Sequence, residues 1–179
     1  MKNNKILIIA EAGVNHNGSL KTAKKLVNIA SKSGADIVKF QTFNTNNIVI
    51  KSLKKAAYQT KSTGKKTQYD MLKKLELSKN DHLSLLKYCK KRKIEFLSTA
   101  FDKESFDFLQ TLKLKRIKIP SGEITNLPLL KYFAKFNKKI IMSTGMCTMK
   151  EVKDAIRIII KYGTAKKNIT LLHCTSEYP

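Results

Sequence analysis

At 179 residues with 42% hydrophobic content, the chain is long enough for one domain with a real core, and its composition excludes end-to-end disorder. A net charge of +23 would suit a nucleic acid or a membrane surface, but Arg92, Arg116 and Arg157 are the only arginines; the lysines spread over every expected helix, so neither partner is expected and a lysine-rich composition accounts for the charge. The three cysteines, Cys89, Cys147 and Cys174, form no CxxC pair, which argues against a disulfide framework or a zinc template and points to a reducing, cytoplasmic setting.

Short apolar runs alternate with amphipathic segments along the chain. Lys5–Ala10 reads as a buried strand, too short for a signal-peptide core. Ser19 reads as an N-cap, followed by a helical stripe of Leu20, Ala23, Leu26, Val27 and Ala30 that ends at Gly34. Ile37–Gln41 is the next strand. The Asn- and Lys-rich stretch 44–66 reads as a loop excursion. A short helix is expected at Tyr69–Leu75 and another at Lys79–Lys91, with Ser78 as its cap and His82 on its solvent face.

The rhythm then repeats: strand Glu95–Thr99, helix Lys103–Leu112 capped by Asp102, strand Arg116–Ile119, helix Asn126–Phe136, strand Ile140–Ser143, helix Met149–Tyr162, strand Ile169–His173. No stretch reaches transmembrane length. Strands alternating with helices imply a parallel α/β sheet. Glu11-Ala12-Gly13-Val14-Asn15-His16-Asn17-Gly18 lacks the glycine fingerprint of a doubly wound dinucleotide fold. The fold expected over 1–179 is therefore an incomplete (β/α)8 TIM barrel with about its first six βα units, since a complete one needs roughly 250 residues.

In such folds chemistry sits at the carboxyl ends of strands, so polar residues there are the candidates. Glu11 follows Ile8-Ile9-Ala10. Lys39 lies within the apolar strand Ile37–Gln41, with Gln41 on its face and Val38 and Phe40 on the other. A buried ammonium must be paired, and an anionic ligand would pair it. Thr99 offers a hydroxyl. Lys118 repeats the buried lysine on another strand, followed by Ser121 and Glu123. Ser143, Thr144 and Gly145 end the fifth strand, Gly145 allowing close backbone approach. Two lysines, hydroxyls and two carboxylates suit an anionic substrate with acid–base work. His16 and His173 read as packed histidines and Cys174 as a small buried thiol, rather than as metal ligands.

Six runs, taken in order, resemble the N-acetylneuraminate (sialic acid) synthase family. They are Ile8 to Gly18, Gly34 to Thr42, Leu97 to Asp102, Lys118 to Glu123, Ser143 to Met146, and Leu172 to Pro179. The resemblance covers essentially the whole chain. It implies condensation of phosphoenolpyruvate with N-acetylmannosamine or a related acylamino sugar, such as a diacetamido sugar, to a nonulosonic acid with release of phosphate. It also implies Lys39, Thr99, Lys118, Ser121 and Ser143 as phosphoenolpyruvate ligands, Gln41 and Tyr178 beside the acceptor, and Glu11 and Glu123 as the catalytic carboxylates. The family's divalent metal, Mn2+ or Mg2+, would take its ligands beyond residue 179, leaving none in this chain, and the family's C-terminal antifreeze-like domain is not in it. A homodimer is implied for a full-length form. On this reading the chain alone is an inactive N-terminal portion; the alternatives are a non-catalytic fragment or one half of a split synthase that pairs with a separate chain.

Overall fold

The computed structural model describes residues 6–52 and 67–176. Their elements are β1 (Ile9–Gly13), α1 (Leu20–Lys32), β2 (Ile37–Thr42), α2 (Thr45–Ile48), α3 (Gln68–Lys73), α4 (Lys79–Lys91), β3 (Glu95–Ala100), α5 (Lys103–Thr111), β4 (Arg116–Ile119), α6 (Leu127–Ala134), β5 (Lys139–Ser143), α7 (Met149–Lys161) and β6 (Ile169–Leu172). The chain divides into two compact units, Met1–Phe108 and Leu109–Pro179. The division falls inside α5, not at a linker.

In the first unit β1, β2 and β3 run parallel, with Ile37 opposite Ile9 on one side and Glu95 on the other. β2 is buried on both faces, as a central parallel strand must be. Beside it Ala23, Val27 and Ala30 of α1 and Leu85 and Cys89 of α4 are all buried. In the second unit β4, β5 and β6 run parallel. Its core joins Ile117, Ile140 and Met142 to Leu130 and Phe133 of α6 and to Val152, Ala155 and Ile159 of α7. The last three recur at helical spacing, so α7 presents one apolar stripe.

The helix starts follow the capping signals. Ser19 Oγ accepts from the Thr22 N–H at 3.2 Å. Ser78 with Asp81 and Thr148 with Glu151 form reciprocal capping boxes. Asp102 accepts from the Ser105 N–H at 2.8 Å and from the Ser105 hydroxyl at 2.6 Å, starting α5. The expected loop at 44–66 opens with α2, whose cap is Asn44; its residues 53–66 lie outside the described ones.

Four expectations are corrected. The first strand begins at Ile9, not Lys5, and Ile6, Leu7 and Ile8 are exposed. Ile8 is engaged instead by Asp36, whose carboxylate accepts the Ile8 N–H at 2.9 Å. Glu11 therefore lies within β1, not after it. His82 is buried rather than on the solvent face. It shares the stripe of Leu85 and Cys89, three and seven residues on. His173 and Cys174 are exposed, not packed, because β6 is a sheet edge among the described residues.

Gly18 closes the turn between β1 and α1 at φ +75°. A β-carbon there would run into the Lys74 carbonyl oxygen. Both the left-handed backbone and the contact demand glycine. Gly18→Ala is expected to cost about 2 kcal/mol or more, read as a lower urea midpoint at unchanged m-value.

Candidate functional site

Two clusters of polar side chains stand at the carboxyl ends of the strands, one in each unit. In the first, parallel register places Glu11 of β1 opposite Lys39 of β2, and Gln41 opposite Thr99 of β3. Lys39 is only 9% exposed. Its ammonium makes an ion pair with Glu11 and a long contact of 3.5 Å to Thr99 Oγ1. Glu11 keeps 44% of its side chain exposed, so this pair borders solvent. Gln41 shares the face of Lys39 by strand alternation and is half-buried.

In the second unit Lys118 of β4 is 6% exposed. Its Nζ donates to Ser143 Oγ at 2.6 Å and to the Ile119 carbonyl at 2.8 Å. Ser121, in the 3-10 turn Ser121–Glu123 that follows β4, shares a hydrogen bond of 3.0 Å with Ser176. A β-carbon on Gly145 would meet the Ser176 hydroxyl, which accounts for the small residue there. Glu123 sits apart from this group; its carboxylate accepts from the Asn126 Nδ2 at 2.7 Å, beside the start of α6. Tyr178 lies outside the described residues.

The same device occurs in both clusters. Lys39 is opposite Leu97 and reaches Thr99, two residues further along the neighbouring strand. Lys118 is opposite Ile141 and reaches Ser143, again two further. A hydroxyl that accepts from an ammonium leaves its own proton to donate. Each cluster thus presents a cation and a polarised O–H donor, the pairing that binds carboxylate or phosphate oxygens. Among the described residues no three His, Cys, Asp or Glu side chains are grouped to hold a metal ion. The divalent metal implied by the resemblance has no ligand set among them.

Sequence reasoning left out Ser176 and Cys147. Cys147 Sγ lies 3.2 Å from the Gly145 carbonyl and 3.6 Å from that of Ser121. Burial raises the thiol of Cys147, and the nearby Glu151 adds to this. For Cys174, burial also acts upward. Hydrogen bonds from the Thr144 and Gly145 backbone and the Ser143 hydroxyl, with the Lys118 charge, outweigh it and hold the thiol below the ordinary cysteine range. Burial pushes Cys89 up to about 12. Alkylation by iodoacetamide near neutral pH should therefore mark Cys174 first, Cys147 later and Cys89 only on unfolding, an order that peptide mass spectrometry reads directly.

A family model described as the NeuB family matches residues 26–179. The chain is 57% identical over 176 residues to an N,N'-diacetyllegionaminic acid synthase of Campylobacter jejuni subsp. jejuni serotype O:2, covering 98% of the chain and 53% of that protein. It is 52% identical over 175 residues to an N,N'-diacetyllegionaminic acid synthase of Legionella pneumophila, covering 96% and 49%. Among solved structures it is similar to the N-acetylneuraminic acid (sialic acid) synthetase of Leptospira borgpetersenii in complex with citrate, with TM-score 0.81 and 30% identity over 99% of the chain and 56% of that structure. The fold is thus the partial TIM-barrel type expected, with six parallel strands alternating with helices. The chain spans about half the length of the curated relatives it matches.

Proposed function

Because the chain belongs to the NeuB family, whose sialic acid synthases condense phosphoenolpyruvate with an amino sugar, we propose that it supplies the phosphoenolpyruvate ligands of a synthase whose acceptor is a diacetamido sugar. The observation that carries the donor half is the repeated lysine–hydroxyl pair, Lys39 with Thr99 and Lys118 with Ser143. Each pair by itself offers a cation with a polarised hydroxyl, which suits an anionic group such as the phosphate or the carboxylate of phosphoenolpyruvate. Ser121 adds a further hydroxyl.

The acceptor follows from the similarity to two N,N'-diacetyllegionaminic acid synthases and from carbon arithmetic. Phosphoenolpyruvate contributes three carbons, so a nine-carbon acid needs a six-carbon sugar. Two acetyl groups in the product require two acetamido groups on that sugar, where N-acetylmannosamine has one. In the proposed reaction the methylene carbon of phosphoenolpyruvate attacks the sugar aldehyde. Water adds to the cation formed at the adjacent carbon, and phosphate leaves with C–O cleavage. Glu11, half-exposed and held by Lys39, would stabilise that cation as its charge develops. Glu123 is the second carboxylate, for proton transfer. Gln41 and Tyr178 would stand toward the acceptor.

Calorimetric titration with phosphoenolpyruvate tests the donor half. Lys39→Met and Lys118→Met are each expected to weaken binding about 10- to 100-fold, the worth of one charge-assisted hydrogen bond. Undiminished binding in both variants overturns the assignment. In competition between the two sugars for a synthase completed with the remaining barrel strands, preferential conversion of N-acetylmannosamine overturns the acceptor.

A further inference from the structure

His82 belongs to neither cluster, yet it is one of the most fully enclosed polar side chains described, 1% exposed on the inner stripe of α4. The rings of Phe96 and Phe108 meet it edge-on, at centroid distances of 6.4 and 5.6 Å. Its hydrogen bonds leave one consistent arrangement. Nδ1 lies 2.9 Å from the Ser78 carbonyl, which can only accept, so Nδ1 carries the proton. Nε2 then holds the lone pair and accepts from the Thr42 hydroxyl at 2.8 Å. With its proton spent there, Thr42 Oγ1 accepts from the Ser98 hydroxyl at 2.7 Å. The relay runs from α4 through the end of β2 to the end of β3.

The position of this relay matters. Thr42 directly follows Gln41, and Ser98 directly precedes Thr99. Gln41 and Thr99 are register partners. By strand alternation the relay lies on the helix-facing side of the sheet and Gln41, Thr99 and Lys39 on the other. We propose that His82 is a positioning residue of the phosphoenolpyruvate site: through Thr42 and Ser98 it clamps the carboxyl ends of β2 and β3 from behind, and so holds Thr99 and Gln41 in place. This rests on the functional reading above and extends it to a side chain that touches no substrate.

The clamp needs neutral His82. A proton on Nε2 turns an acceptor into a donor. Thr42 then loses its hydrogen-bond acceptor for that proton, and the Gln41 carbonyl, which favours charged His82 through a backbone hydrogen bond, competes for the ring. Burial keeps His82 neutral below the ordinary histidine range, against the Ser78 carbonyl, Asp81 and the Gln41 carbonyl, which favour the charged form. The charged or titratable groups that face it are Asp81 and Lys79 on its own helix, His16 of the turn after β1, Lys73 and Glu76 around α3, and Glu104 of α5. A cleft of about 230 Å³ is lined by Thr42, His82, Phe108 and Glu104.

The unfolded chain, with an ordinary histidine, binds the proton at a higher pH than the folded one, so the clamp is complete above that range and is lost as pH falls below it. Phosphoenolpyruvate titrations at about pH 8 and about pH 5.5 compare wild type with His82→Gln, which keeps an acceptor near the Nε2 position, His82→Leu, which keeps none, and Thr42→Val, which keeps the shape without the hydroxyl. Wild type should lose affinity relative to His82→Gln as the pH is lowered, and the two should bind alike at the higher pH. His82→Leu and Thr42→Val should be weak at both. Equal affinity and equal pH profiles in folded variants overturn the proposal. If wild type binds no phosphoenolpyruvate at either pH, the functional reading fails on its own. The backbone amide resonances of Gln41 and Thr99 then decide the clamp: displacement in His82→Leu and in acidified wild type but not in His82→Gln upholds it, and unmoved signals overturn it.

Discussion

A lysine inside a parallel sheet is the constraint around which the described residues are arranged. An ammonium removed from water is costly unless its protons find acceptors, and a parallel sheet spends its own carbonyls on the ladder. Lys39 and Lys118 meet this cost in the same way. Each reaches along its strand toward the carboxyl end, where backbone pairing stops, and contacts a hydroxyl two register positions on. Lys39 adds the Glu11 carboxylate and Lys118 the Ile119 carbonyl. The difference has chemical consequences. In the Lys39 cluster the Glu11 carboxylate offsets the charge of the ammonium, which lowers the net positive field that an anion meets there.

That arrangement depends on the opposite face of each strand. Lys39 keeps its bearing because Val38 and Phe40 are buried on either side of it in sequence. Phe40 stacks on Phe96, with ring centroids 5.7 Å apart. Beyond these apolar contacts the strand end still needs fixing, since Thr42 is where β2 leaves the sheet. The hydrogen-bonded row of His82, Thr42 and Ser98 fixes it with directional bonds at a point where packing alone would allow sliding. In the second unit Gly145 lets the chain after β6 come close enough for Ser176 to bond Ser121.

Much of this was legible because it follows from local rules. The caps at Ser19, Ser78 and Asp102 announce helices by their side-chain oxygens, and Lys39 and Lys118 announce themselves as charges within apolar runs. His82 was misjudged because Asp81 and Ser84 beside it suggest a polar face; its spacing of three and seven to Leu85 and Cys89 was the signal that placed it inside. His173 and Cys174 were misjudged for another reason. A residue's burial at a strand end depends on what covers the strand's far side, and Ile169-Thr170-Leu171-Leu172 carries no mark of that. The start of β1 was misplaced because apolarity marks a strand while pairing delimits it, and pairing begins opposite Ile37. Tyr178 lies outside the described residues, and its role rests on the resemblance alone; residues 53–66, read as loop from their composition, lie outside them too.

The two lysines also explain why a strongly basic chain need not be read as a polyanion binder. Many of the described lysines lie on helices, where they act as solvated charges, and pairs such as Lys103 with Asp107 and Arg157 with Asp154 contribute little. The proposed site rests on the two buried lysines among the described residues, Lys39 and Lys118, because a buried charge acts through a lower dielectric on the hydroxyl beside it. Position within the strand, not the count of charges, separates the residues that make a site from those that keep the chain in solution.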